Sequence, residues 1–89
     1  MKEPYLEVTF RHGRPLAAYY YLPRNTNQKS ARTRQVEPGL VIDFTAAGEA
    51  IGIEITAPAK VSLQALNAVL RELGHPPASQ ADLAPVLAA

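Results

Sequence analysis

Two neighbouring segments with a period of two constrain the fold of this chain most. Large apolar residues alternate with other residues in both Leu40 to Phe44 and Ala50 to Ile55, and Ala47-Gly48 lies between the segments. Such alternation is typical of half-buried strands, and a short glycine-containing connection is typical of a hairpin. A two-residue loop gives one wholly apolar face, on which the pairs are Leu40 with Ile55, Ile42 with Ile53 and Phe44 with Ile51. A one-residue slip scatters these side chains over both faces, so turn and register support each other.

The first forty residues predict two or three further strands. Alternation from Tyr5 to Phe10 indicates a strand, the cluster from Arg11 to Pro15 a turn, and the Tyr-rich run from Leu16 to Leu22 a second strand that Pro23 ends. The polar residues 25–30 indicate a loop. Residues 32–37 are expected to extend as a polar strand.

Beyond Pro58 the spacing of apolar residues changes from two to that of a helix. Ser62 is expected to be the N-cap and Gly74 the C-terminal stop of a helix. Its buried stripe is formed by Leu63, Leu66, Leu70 and Leu73. Ser79 to Asp82 resembles a capping box that opens a short second helix, which Pro85 limits.

These elements predict an α+β fold: a small antiparallel, meander-like sheet of four or five strands, with one helix on one face and a short C-terminal helix beside it. We expect one domain over residues 1–89, with the sheet in 5–60, the helix in 62–74 and a short helical tail in 79–88. The predicted core comprises Leu6, Val8, Phe10, Ile42, Phe44, Ile51, Ile53, Leu66 and Leu70.

Composition limits the class of protein. Apolar residues make up 47% and charged residues 19% of the 89 residues, the balance of a globular chain. The chain contains no Cys, which excludes disulfides and thiolate metal sites. The N-terminus has no apolar leader, and no apolar run is long enough to span a bilayer. A cytoplasmic location is therefore expected.

The segment from Val36 to Phe44, followed by Gly48, Ile51-Gly52-Ile53-Glu54-Ile55 and Lys60, resembles the bacterial family called domain of unknown function 2283. Ala17 to Leu22 fits the second strand of that family, so the resemblance covers residues 5–60. Arg11-His12-Gly13-Arg14 departs from the acidic first turn that family members usually carry. The resemblance implies the sheet, and it implies no activity.

No residues form a convincing catalytic, metal or cofactor site. Asp43 and Glu54 share one face of neighbouring strands, but the register displaces them diagonally, so solvated carboxylates are the favoured interpretation over an acid/base pair. His12 and His75 have no second metal ligand at suitable spacing. Ser62 and Ser79 are explained as helix caps, and no phosphate-binding glycine pattern is present. We therefore predict no catalytic residues, no metal and no cofactor.

A basic stretch offers one alternative function. Six basic residues and no acid lie between Glu7 and Glu37, and Tyr19 to Tyr21 lie among them. Such a surface combines phosphate neutralisation with base stacking and suits single-stranded nucleic acid. The candidate residues are Arg11, Arg14, Arg24, Lys29, Arg32 and Arg34. Protection of exposed strand edges by charge explains the same residues and is favoured.

The uncovered face of the sheet predicts self-association, because one helix covers one face only. Ala17, Tyr19, Tyr21 and Val41, with Gly52, form an apolar patch that is expected to be a homodimer interface. The competing explanation is that the C-terminal segment covers this patch. The favoured function is a non-enzymatic, homo-oligomeric interaction or regulatory module. Nucleic-acid binding through residues 8–36 is the alternative, and an enzyme is the least supported class.

Overall fold

A computed structural model describes residues 3–23 and 28–87, and these residues form an α+β fold. The strands are β1 (Tyr5–Arg11), β2 (Arg14–Tyr21), β3 (Arg32–Glu37), β4 (Leu40–Phe44) and β5 (Ala50–Ile55). A 3-10 turn, Pro58–Lys60, leads to α1 (Leu63–Glu72) and α2 (Gln80–Leu87). The sequence therefore predicted the fold class correctly, including the polar strand β3.

The five strands form one open antiparallel sheet in the order β1-β2-β5-β4-β3. The expectation of a meander is wrong at one place. β1 and β2 are consecutive neighbours, as are β3, β4 and β5, but the strand beside β2 is β5 rather than β3. β5 is the most buried strand, with four of its six residues buried, and the central position lets both of its edges be paired while its large side chains are buried.

The β4–β5 hairpin has the predicted register over most of its length. Leu40 lies opposite Ile55 and Ile42 opposite Ile53, but a bulge sets Phe44 against Ala50 instead of Ile51. The connection is also longer than two residues, because the Thr45 N–H donates to the Glu49 carbonyl. Gly48 occupies a left-handed conformation, with φ 90°, inside this turn.

A second bulge explains why part of the predicted core is exposed. Thr9 pairs with Ala17 and Phe10 with Pro15, so Leu16 is the extra residue on β2. β5 pairs with β2 only from Ala18 to Tyr21, and residues 10–16 project beyond it as a two-stranded hairpin tip. Phe10 is 54% exposed, which corrects the expectation that it is a core residue, and Leu16 beside it is 52% exposed.

One face of the sheet, the inner face, carries the core. Ile42, Ile53, Leu66 and Leu70 are fully buried, as predicted. Leu6, Val8 and Phe44 are only half-buried, because β1 is an edge strand and Phe44 lies at the bulged end of β4. Ile51 is buried near Leu22, whose N–H donates to the Ile51 carbonyl. Core residues that the prediction omitted are Tyr20, Leu22, Leu40, Ile55, Leu83 and Val86.

Both helices contribute buried residues to this one cluster, and α2 lies against β1 and β2. Ser62 Oγ accepts from the Ala65 N–H at 3.0 Å, which confirms the predicted N-cap of α1. The side-chain amide of Asn67 joins the helices by pairing with both backbone groups of Ala78, at 3.1 and 2.8 Å.

The N-terminus of α2 is the predicted capping box. The Ser79 N–H donates to Asp82 Oδ2 at 3.0 Å, and the Asp82 N–H donates to Ser79 Oγ at 3.1 Å. These hydrogen bonds lower the pKa of Asp82. The helix continues through Pro85 to Leu87 rather than ending at the proline, and residue 88 of the predicted tail lies outside the described residues.

Candidate interaction face

The strand registers define a second surface, the outer face, which points away from the core cluster. Its members are Tyr5, Glu7 and Thr9 of β1, Ala17, Tyr19 and Tyr21 of β2, Gly52 and Glu54 of β5, Val41 and Asp43 of β4, and Thr33 and Gln35 of β3. The four predicted interface residues, Ala17, Tyr19, Tyr21 and Val41, therefore share one face. Each of the four is half-buried.

Tyr19 crosses the sheet and joins strands that are not neighbours. Its hydroxyl donates to Asp43 Oδ2 at 2.8 Å, and Asp43 lies on β4, beyond β5. The ring reaches Asp43 because Gly52 has no side chain: a Cβ at that position would lie 2.3 Å from Tyr19 Cζ. Gly52 is thus a close-approach glycine on the strand between Tyr19 and its acceptor.

Asp43 and Glu54 form an interacting carboxyl pair. Asp43 is 5% exposed, and no amide, alcohol or phenol group among the described residues donates to its Oδ1. The pKa of Glu54 is raised to about 7, first by a side-chain hydrogen bond with Asp43, then by burial, and then by repulsion from Asp43. One of the two groups must carry a proton for that hydrogen bond, since two carboxylates have no donor between them, and the raised pKa assigns this proton to Glu54.

The interpretation of Asp43 and Glu54 as separate solvated carboxylates is therefore wrong. Their backbone positions are diagonal, as the register predicted, but burial of Asp43 beneath Tyr19 keeps the two side chains together. The sequence signal that was missed is Gly52, because a glycine in a central strand indicates that another group approaches closely.

Three tyrosines make the outer face aromatic at the β1–β2 side. The Tyr5 and Tyr21 rings stack with centroids 4.4 Å apart, and the Tyr19 and Tyr21 rings meet edge to face at 4.5 Å. The Tyr21 hydroxyl donates to Glu7 at 3.3 Å. We name these three tyrosines, together with Glu7, Asp43 and Glu54, the tyrosine–carboxyl cluster. It is an aromatic surface of negative charge.

The basic candidate residues are divided between opposite ends of the sheet. Arg11 and Arg14 lie opposite each other at the hairpin tip, whereas Arg32 and Arg34 lie on edge strand β3 and Lys29 precedes it. Arg24 lies outside the described residues. The tyrosines that were expected to accompany the basic residues lie among carboxyl groups instead.

The remaining candidates have structural surroundings. His12 has φ 53° in the β1–β2 turn, and His75 closes α1 by donating its N–H to the Leu70 carbonyl at 2.9 Å. Within residues 3–23 and 28–87, no three His, Cys, Asp or Glu side chains are grouped to hold a metal ion. The same part of the chain contains no helix that is long and apolar enough to cross a membrane.

The middle of the chain matches the model of a known protein family. Residues 17–57 match the model of the family described as protein of unknown function (DUF2283). Over this segment, which we call the DUF2283 segment, the chain is similar to that family. The match confirms the resemblance and covers most of β2 and all of β3, β4 and β5, while β1 and both helices lie outside it. No curated protein and no solved structure matches the chain.

The DUF2283 segment contains the residues that build the outer face around β5. Gly52 admits the Tyr19 ring, Glu54 interacts with Asp43, and Ile53 and Ile55 fill the core on the other side. The glycine-isoleucine-glutamate-isoleucine motif therefore has a role for each residue in this chain. Glu7 and Tyr5, which complete the tyrosine–carboxyl cluster, come from outside the DUF2283 segment.

Proposed function

We propose that this chain is a non-enzymatic interaction or regulatory module that forms a homodimer through the outer face of its sheet. The observation that carries this proposal is the placement of the helices. Buried residues of both α1 and α2 belong to the inner-face cluster, and α2 lies against β1 and β2 on that side. The C-terminal segment, as far as it is described, therefore leaves the aromatic outer face uncovered.

The carboxyl pair supports an interaction role better than a catalytic one. A catalytic carboxyl has to contact its substrate, whereas Asp43 is almost fully buried and its Oδ2 accepts the Tyr19 hydroxyl. Contacts among Tyr19, Asp43 and Glu54 thus connect β2, β4 and β5 and make the outer face rigid. A rigid aromatic surface of this kind loses little conformational entropy when it binds a partner.

Sedimentation velocity at micromolar concentration tests the proposal. We expect the wild-type chain to sediment as a dimer, and Ala17→Glu to weaken the dimer at least about tenfold by placing charge at the centre of the interface. The matched control is Ala68→Glu, because Ala68 is exposed on α1 and belongs to the opposite side of the molecule. A wild-type monomer, or equal effects of the two substitutions, contradicts the proposal.

A second candidate function, binding of single-stranded nucleic acid, is favoured by a depression at the β3 edge. The depression has a volume of about 350 Å³, and Arg32, Arg34 and Phe44 line it. The Arg34 guanidinium lies 5.5 Å from the centroid of the Phe44 ring. Arginine beside an aromatic ring offers both phosphate neutralisation and a stacking surface.

Titration with a fluorescent oligonucleotide tests this second candidate. Micromolar or tighter binding that weakens steeply with salt is expected, and Arg32→Ala with Arg34→Ala should flatten the salt dependence. The control, Lys60→Ala with Arg71→Ala, removes the same charge from the helical side. Absence of binding at low salt eliminates the candidate.

A further inference from the structure

The outer face has an uneven charge along the β1–β2 hairpin. Alternation along β1 is uninterrupted, since the bulge residue Leu16 belongs to β2, so Arg11 shares the outer face with Glu7 and Thr9. Arg14 lies opposite Arg11 in the register. The outer side of the hairpin is thus aromatic and acidic at the end of Tyr5 and Tyr21. It carries the small residues Thr9 and Ala17 in the middle and two arginines at the tip.

The arginines of the tip have no ion-pair or hydrogen-bond partner for their side chains in the part of the chain that the structure describes. Arg11 and Arg14 are both exposed. They also lie beyond the last β5 residue that pairs with β2, so no other strand flanks them. Phe10 and Leu16, both more than half exposed, add apolar surface to the same tip. Such a tip is suited to contact with a partner.

A depression on the outer face has the chemistry to receive an arginine. It has a volume of about 180 Å³ and lies among Glu7, Thr9, Ala17, Tyr19 and Glu54. Ionised carboxyl groups bind a guanidinium by charge-assisted hydrogen bonds, and a tyrosine ring binds it by cation–π attraction. A guanidinium beside Glu54 would also favour the ionised form of that carboxyl group. Thr9 and Ala17 are small, which allows another surface to approach closely.

Because Glu7 and Arg11 are four residues apart, their positions are separated by about 13 Å along the strand. Consider a two-fold axis that lies between two copies and runs across the strands at the Thr9–Ala17 pair. The hairpins of the two copies then run in opposite directions, and the arginines of one copy lie over the carboxyl groups of the other. The same operation creates the reciprocal contact, so the assembly closes as a dimer. In this antiparallel arrangement opposite charges meet, so the outer face is self-complementary. If the two hairpins were parallel, like charges would face each other.

We propose that two copies pack outer face to outer face about this axis, with Arg11 and Arg14 of each hairpin tip bound at the depression beside the partner's Glu7 and Glu54. This inference rests on the proposed function and adds the arrangement and the residues that determine it. Ion pairs that span an interface fix orientation, and they make association sensitive to salt.

Charge exchange between two variants tests the arrangement. Arg11→Glu with Arg14→Glu, and separately Glu7→Lys with Glu54→Lys, should each raise the dimer dissociation constant at least about tenfold, because like charges then face each other. Mixing the two variants should restore a dimer, since both reciprocal contacts regain opposite charges. Fluorescence-detected sedimentation with one variant labelled measures the mixed species. Lys29→Glu with Lys60→Glu is the charge-matched control and should leave the dimer unchanged.

The outcomes separate this inference from the proposed function. A wild-type dimer that neither charge reversal weakens, or a mixture that fails to associate, overturns the proposed arrangement while self-association stands. A wild-type monomer overturns the proposed function itself. Circular dichroism checks that each variant is folded. If Glu54→Lys is unfolded, Glu7→Lys alone replaces it, and its mixture with the arginine variant is expected to form the mixed dimer.

Discussion

Position 52 shows how one residue determines the arrangement of several others. Without a side chain there, Tyr19 lies across β5 and gives its hydroxyl to the buried carboxylate of Asp43. A methyl group at position 52 displaces the ring and removes that donor. Among the described residues, Asp43 then has no donor except the protonated Glu54, and a buried carboxylate with too few donors is costly.

Replacing Tyr19 by Phe isolates this hydrogen bond. The variant keeps the ring over Gly52 but removes the donor to Asp43, so we expect the free energy of unfolding at pH 7 to fall by about 1–3 kcal/mol. The control is Tyr21→Phe, which removes an exposed hydrogen bond to Glu7 and should cost less than about 0.5 kcal/mol. Urea denaturation of both variants gives the comparison. Equal losses would show that Tyr19 does not support a buried charge.

At the scale of elements, the pairing of β4 with β5 brings Asp43 and Glu54 together and links the stability of the sheet to pH. The folded-state pKa of Glu54, about 7, lies above its ordinary value of 4.5. Between these two values the folded chain holds a proton that the unfolded chain has lost. Stability from this group is complete below pH 4.5 and is lost as the pH rises through about 7.

The Glu54→Gln variant tests this link. Glutamine keeps a donor toward Asp43 at every pH. The stability of the variant should therefore not decline between pH 4.5 and about 7, and above pH 7 the variant should be more stable than the wild type. Glu7→Gln is the matched control on the same face and should keep the wild-type slope. Thermal unfolding at a series of pH values measures both. A Glu54→Gln profile parallel to that of the wild type contradicts the assignment.

The sequence predicted elements better than their irregularities. Alternation located the strands, and the caps at Ser62 and Ser79 located both helix starts, because these signals are local. The bulges at Leu16 and Ile51 were not predicted, since each depends on the partner strand and on the twist of the hairpin. The position of β5 beside β2 is a long-range pairing for which the chain carries no local signal.

The candidate site was predicted only in part, because alternation is a local signal whereas contacts between distant strands are not. Ala17, Tyr19, Tyr21 and Val41 were placed on one face by alternation alone. The carboxyl groups among the tyrosines were underestimated, because only the three-strand reach of Tyr19 shows that Asp43 is buried. The acidic character of this face emerges only when Glu7 of β1 and Glu54 of β5 are brought to either side of β2.

For the whole molecule, the net charge of +1 conceals a separation of charge in space. Carboxyl groups lie on the outer face, and arginines lie at the hairpin tip and on the β3 edge. Surfaces arranged in this way orient partners before contact, and salt weakens that orientation. The wild-type dimer of the proposed arrangement should therefore weaken as sodium chloride is added.

The central place of β5 also governs how the chain is built. The β1–β2 hairpin and the β3–β4 pair have no backbone pairing with each other except through β5, which is the last of the described strands. During synthesis, each half therefore presents an open edge until Ile55 has left the ribosome. Pairing that spans so much of the chain slows folding, and unpaired edges invite association with other chains. A chain truncated before Ala50 would lack the strand that pairs with both halves.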